Sequence, residues 1–118
     1  MGKTILERAW TRETSSDPEH WSEENPAWGQ CAITALLAQD LFGGQLLRAM
    51  IQGQSHYWNL LPNGAELDLT RQQFGPNPSL DPGEVPKIRD REYVLSFPAT
   101  VKRYELLKQN ILKLQGAL

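Results

Sequence analysis

Apolar residues along this chain recur with two different periods. Ile33, Leu36, Leu37 and Leu41 fall on one face of a helix with Phe42 beside them, and Gly43–Gly44 supplies its stop. Ile5, Leu6, Ala9 and Trp10 repeat the helical spacing and predict a short N-terminal helix through about Arg12. Val101, Tyr104, Leu107, Ile111 and Leu114 form a third stripe, widened by Leu106 and Leu112. It predicts a C-terminal helix that begins near Ser96–Pro98, with proline in the first turn, and packs on the core. Between the second and third stripes the pattern changes. Gln45–Ile51, Gln54–Leu61 and Ala65–Thr70 read as strands, the last two joined by Pro62-Asn63-Gly64, whose Asn-Gly supplies the positive φ of a tight turn.

The remainder is punctuated by turn residues. Thr14 to Gly29 reads as a loop anchored by Trp21 and Trp28. Gln72 to Asp90 carries Pro76, Pro78, Pro82 and Pro86 and reads as an extended surface segment, with a helical turn at Gln72–Phe74. Segments of that length often serve as the rim of a site. The expectation is that Glu19–Trp28 and part of Pro76–Pro86 wall a cleft above Cys31. Arg91–Leu95 fits strand or helix equally well. One apolar helix followed by closely spaced strands predicts an α+β fold in a single domain, residues 1–118, with the Cys31 helix packed on a small antiparallel sheet plus a C-terminal helix.

Charge narrows the partners. There are 12 basic and 14 acidic residues and a formal net charge of −2, with the basic residues scattered. Neither nucleic acid nor an anionic membrane is expected as a partner. No apolar run approaches the roughly 20 residues of a spanning helix, and no basic–apolar leader is visible. A single cysteine excludes an internal disulfide and a cysteine-rich zinc site. A reducing, cytoplasmic setting and either a monomer or a homodimer are the expectations.

That cysteine stands at the start of the clearest helix, in Gly29-Gln30-Cys31. Free N–H groups and the positive end of the helix dipole favour thiolate there and can stabilise an oxyanion. Gly29 would leave room for a substrate. Taken alone, such a cysteine is more often a small buried hydrophobe. His56 and Asp68 change the balance. A histidine inside a strand needs a partner, and an aspartate between Leu67 and Leu69 costs stability unless it is paired. Tyr57 and Trp58 would shield a cysteine–histidine ion pair from water.

Register decides whether the last two groups can meet. A two-residue turn pairs Asn59 with Asp68 and turns His56 and Asp68 to opposite faces. A three-residue loop with Gly64 in the left-handed region pairs Leu61 with Ala65, leaving Asp68 diagonal to His56 on one face. The triad requires the second register. A metal site built from Cys31, His56, Asp68 and His20 is disfavoured, because no pair has local ligand spacing. No cofactor is expected.

His56-Tyr57-Trp58 followed by Asp68-Leu69-Thr70 resembles the His-x-Trp … Asp-x-Thr pattern of the papain and transglutaminase-like cysteine-protease superfamily. Asn25 and Gly29 stand where papain-type enzymes carry an oxyanion-hole glutamine and a glycine. More closely, Asn25-Pro26, Gly29-Gln30-Cys31, Gly43-Gly44, Ser55 to Asn59, Asp68 to Thr70 and Gln73-Phe74 resemble the small bacterial YunG-like proteins over about residues 21 to 75. The superfamily resemblance implies a minimal papain-like core. It also implies a cysteine-dependent hydrolase or acyltransferase acting on an amide, ester or isopeptide in a small molecule or peptide. Cys31 would be nucleophile, His56 base and then acid, and Asp68 its orienter. Asn25 or Gln30 would hold the oxyanion with the Cys31 N–H, and Trp28, Trp58 and Asn59 would line the site. The competing expectation is a non-catalytic binding module on the same fold.

Overall fold

A computed structural model describes residues 4–116. Its elements run α1 (Ile5–Ala9), α2 (Cys31–Phe42), β1 (Gln45–Ile51), β2 (Gln54–Leu60), β3 (Glu66–Leu67), β4 (Lys87–Arg89), α3 (Arg91–Val94) and α4 (Pro98–Gly116), with 3-10 turns at Arg12–Thr14, Pro18–His20 and Arg71–Phe74. Thr4 opens α1 through a capping box with Glu7, each satisfying a backbone N–H of the other's end. The fold is α+β. Its antiparallel sheet has the order β3-β2-β1-β4.

Strand alternation sorts the sheet's residues between two apolar clusters. Leu46 and Tyr57 join Ile33, Ala35 and Leu36 of α2, Ala9 and Trp10 of α1, and Tyr104 and Leu107 of α4. Leu47, Ala49 and Trp58 form a smaller cluster with Leu60 and Leu80. Buried polar groups at the main cluster are paired: Trp10 Nε1 donates to Thr34 (3.0 Å), and Asn59 Nδ2 to the Ala35 carbonyl (2.9 Å). The C-terminal stripe thus packs inwards, with Ile111 and Leu114 against the core, although Leu112 is exposed.

The hairpin adopts the register that the triad needs. Asn59 faces Leu67, Leu60 faces Glu66, and the Leu61 N–H donates to the Ala65 carbonyl (2.8 Å). Gly64 takes φ +88°, and the Asn63 side chain accepts the Ala65 N–H. The remaining expectations need adjustment. β3 is two residues long, not Ala65–Thr70, because Asp68 leaves the ladder to form a side-chain turn with the Thr70 N–H (3.2 Å). The proline-rich segment is not all loop: Lys87–Arg89 pairs with Leu46–Arg48 as a fourth strand. Arg91–Val94 is helical, tied down by Arg91, which bonds Asp40 (2.8 Å), Gln39 (3.0 Å) and Tyr104 (3.1 Å). Among the described residues, no helix is long and apolar enough to cross a membrane.

Candidate functional site

Cys31 is the first residue of α2, and no side chain caps the helix at Gln30. The thiol is partly exposed and lies 3.8 Å from the carbonyl oxygen of Ser55, the residue before His56. His56 is wholly buried. Its ring is stacked on Trp58 at 5.6 Å and meets Phe74 edge-on at 5.0 Å. Nε2 donates to Asp68 Oδ2 at 2.6 Å, while Nδ1 is buried with no hydrogen-bond partner. Asp68 also accepts Arg71 Nε (2.9 Å), and Arg71 lies over the Trp58 ring.

The electrostatics follow from this packing. Burial works against a charged imidazole, but the hydrogen bond to Asp68 and then the neighbouring Cys31 thiol outweigh it, and the His56 pKa is raised to about 9. Burial would likewise raise Asp68, but His56 and Arg71 prevail and hold it below the usual carboxylate value. Both shifts favour the charged forms, an imidazolium against a carboxylate, in contact with Cys31.

Two cavities meet at Cys31. The larger, about 220 Å³, also has Ser16, Tyr57, Phe97 and Arg103 in its wall. The smaller, about 40 Å³, is bounded by Trp28, Gly29, Ser55 and Gln73. A roomier surface recess of about 370 Å³, beside Ile88 and Tyr93, contains neither cysteine nor histidine.

The other expected site residues are distributed differently. Trp28 reaches the smaller cavity, with its indole N–H on Asp17 (3.1 Å) and its ring edge-on to Phe74. Trp21 bonds the Pro26 carbonyl and lines a separate recess. Trp58 is buried behind His56, with its N–H on Glu66 (2.7 Å). Asn59 points into the α2 interface. Gln30 is buried, its amide donating to the Thr11 carbonyl (3.1 Å) and accepting the Thr14 hydroxyl (2.7 Å). Asn25 Nδ2 donates to the Gln73 carbonyl (3.1 Å). Both amides expected at the oxyanion are thus engaged elsewhere.

Gly29 borders the smaller cavity, and the backbone gives it a further reason to be small. It has φ +75°, and a Cβ there would lie 2.2 Å from Ser15 Oγ and 2.9 Å from the Ser16 nitrogen. The proline-rich residues 76–86 line neither cavity at Cys31. They cover the β1–β2 turn instead: Asp81 accepts the N–H groups of Gln52 (2.6 Å) and Gly53 (2.8 Å), and Glu84 that of Met50 (2.6 Å). His20 is exposed and paired with Asp17 (2.9 Å). Among the described residues, no group of three His, Cys, Asp or Glu side chains is placed to hold a metal.

Two residues escaped the sequence reading. Gln73 accepts the Gly29 N–H (3.3 Å) and donates to the Thr70 carbonyl (3.1 Å), so it joins the Asp68 turn to the chain entering α2. Arg103 reaches the larger cavity from α4. Its signal was its place beside the buried Thr100, Tyr104 and Leu107, on the inward side of an amphipathic helix.

Fold and site together define a small α+β protein in which a partly exposed cysteine at a helix start adjoins a buried histidine–aspartate pair. The chain belongs to the YunG family: the family model described as "YunG protein" matches residues 2–116. It is 42% identical over 72 residues to "Uncharacterized protein YunG" of Bacillus subtilis (strain 168), a match covering 61% of this chain and 59% of the relative. The matched region thus spans about three fifths of that relative's length. No solved structure matches the chain significantly.

Proposed function

We propose that this protein is a cysteine-dependent hydrolase or acyltransferase acting on an amide, ester or isopeptide, with a minimal papain/transglutaminase-like core. The observation that carries this reading is the division of labour on the His56 ring. One nitrogen is fixed by Asp68 at 2.6 Å, and the other is buried and unpartnered in a ring whose proton affinity Cys31 raises. Buried polar atoms with a purely structural role are as a rule hydrogen-bonded, and this one is not.

In this mechanism the Cys31 thiolate adds to the substrate carbonyl, and the oxyanion accepts the backbone N–H groups at the start of α2. The His56 imidazolium gives its proton to the leaving amine or alkoxide as the C–N or C–O bond breaks, leaving a thioester on Cys31. Water or an acceptor amine then attacks the thioester, His56 takes the proton, and the sulfur departs as thiolate. Asp68 holds the ring in the required tautomer throughout.

A second reading, a binding module, is favoured by one observation: the amides of Asn25 and Gln30 are both engaged away from the thiol. Iodoacetamide labelling of Cys31 across pH separates the two. Catalysis requires labelling that persists well below the pH of a free thiol and collapses in His56→Ala. Coincident curves for wild type and variant would leave the binding module as the reading.

A further inference from the structure

The cavity that holds Cys31 also holds a cation that no carboxylate neutralises among the described residues. Arg103 is half-buried, and its Nε is buried with no partner. Among the described residues its side chain makes one hydrogen bond, to Thr100, one turn earlier on α4, at 3.3 Å. Among the described residues, no carboxylate forms an ion pair with it. Burial lowers its pKa, and Cys31 acts in the opposite direction. Removing part of a guanidinium from water without a carboxylate partner costs stability, and one long hydrogen bond to Thr100 offsets little of it.

The surroundings state what would offset that cost. Ala32, Tyr57, Val94 and Phe97 make the walls largely apolar, and the volume of about 220 Å³ accommodates a short acyl chain. A nucleophile and a guanidinium open onto one small space. We propose that the substrate of Cys31 carries a carboxylate on a short apolar acyl chain, and that Arg103 binds that carboxylate inside this cavity. The proposal rests on Cys31 being the nucleophile. It makes Arg103 a specificity residue, because a guanidinium recognises a carboxylate by paired N–H···O bonds that a neutral amide cannot reproduce.

Charge selectivity of alkylation tests this on the thiol itself. Two pairs of reagents are used, iodoacetate with iodoacetamide and N-iodoacetylglycine with N-iodoacetylglycinamide, so that two carboxylate distances are sampled. The acid-to-amide rate ratio, normalised to free cysteine, is expected to be raised roughly tenfold in wild type for at least one pair. The ratio should fall to the free-cysteine value in Arg103→Met and survive in Arg103→Lys, with thermal midpoints showing all three folded. A wild-type ratio equal to that of free cysteine overturns the proposal. So does a raised ratio that survives Arg103→Met, including the case where both rates fall by the same factor, which would make Arg103 merely a support for the thiolate. Failure of the nucleophile reading registers separately, as indifference of the iodoacetamide rate to His56→Ala.

Discussion

His56 Nε2 and Asp68 Oδ2 lie 2.6 Å apart, in a pair whose histidine has no exposed surface. Twelve residues separate them in sequence, and the hairpin turn at Asn63–Gly64 lies between. Asp68 therefore holds a charge on the ring that burial alone would disfavour. In Asp68→Asn the His56 pKa should fall from about 9 towards or below the ordinary value. Following the ring protons of His56 by NMR across pH measures this. A midpoint unmoved by the substitution would mean that Asp68 is not the cause.

The same pair makes stability depend on pH. The folded pKa of His56 is raised, so its contribution is complete below about 6.5 and is lost as pH rises through about 9. The folded pKa of Asp68 is lowered, so its contribution is present above about 3.8 and is lost as pH falls further. Resistance to urea should form a plateau between roughly pH 4 and 6.5 and decline on either side. The alkaline decline amounts to roughly 1.4 kcal/mol for each unit of the His56 shift. The alkaline arm should flatten in His56→Gln, and a full decline retained in that variant would assign it to other groups.

On the proposed mechanism, Cys31→Ser should abolish turnover, and it should leave the fold nearly intact. The thiol is partly exposed, and its hydrogen-bond contact with the Ser55 carbonyl is long at 3.8 Å. A change within about 0.5 kcal/mol is expected from chemical denaturation. A loss of several kcal/mol would instead make Cys31 a packing residue.

Gly29 and Gly64 both have positive φ, yet they should respond differently to alanine. At Gly64 no atom lies within 4 Å of an added Cβ, so only backbone strain of about 1–2 kcal/mol is expected. At Gly29 the same strain is joined by a clash with Ser15 and the Ser16 backbone, so Gly29→Ala should cost clearly more. Urea midpoints of the two variants decide it. Equal losses would show that the Ser15–Ser16 strand of the loop yields easily.

Much of the order of elements was legible because periodicity and turn chemistry are local. Ile33 and Leu36 do face the core and Gly43–Gly44 does end the helix, whereas Leu41 and Phe42, on the same predicted stripe, are exposed and Thr34, Ala35 and Ala38 complete the buried face. The possible meeting of His56 and Asp68 was also legible, through the two registers that an Asn63–Gly64 turn allows. Choosing between the registers took the tertiary structure, because both satisfy the turn and only the assembled sheet fixes which faces are buried. Strand β4 was hidden because three residues beside prolines carry no period of their own and exist by pairing with Leu46–Arg48.

The chain by itself thus determined the α+β order of elements and the residue types able to do thiol chemistry. Tertiary structure decided their company. It turned the amides of Gln30 and Asn59 inwards, laid the proline-rich segment over the β1–β2 turn, and brought Arg103 of α4 into the cavity of Cys31, 72 residues away in sequence (103 less 31). Local preferences specify how a segment is shaped. Only long-range packing, which must satisfy nearly all buried polar groups at once, specifies what it faces.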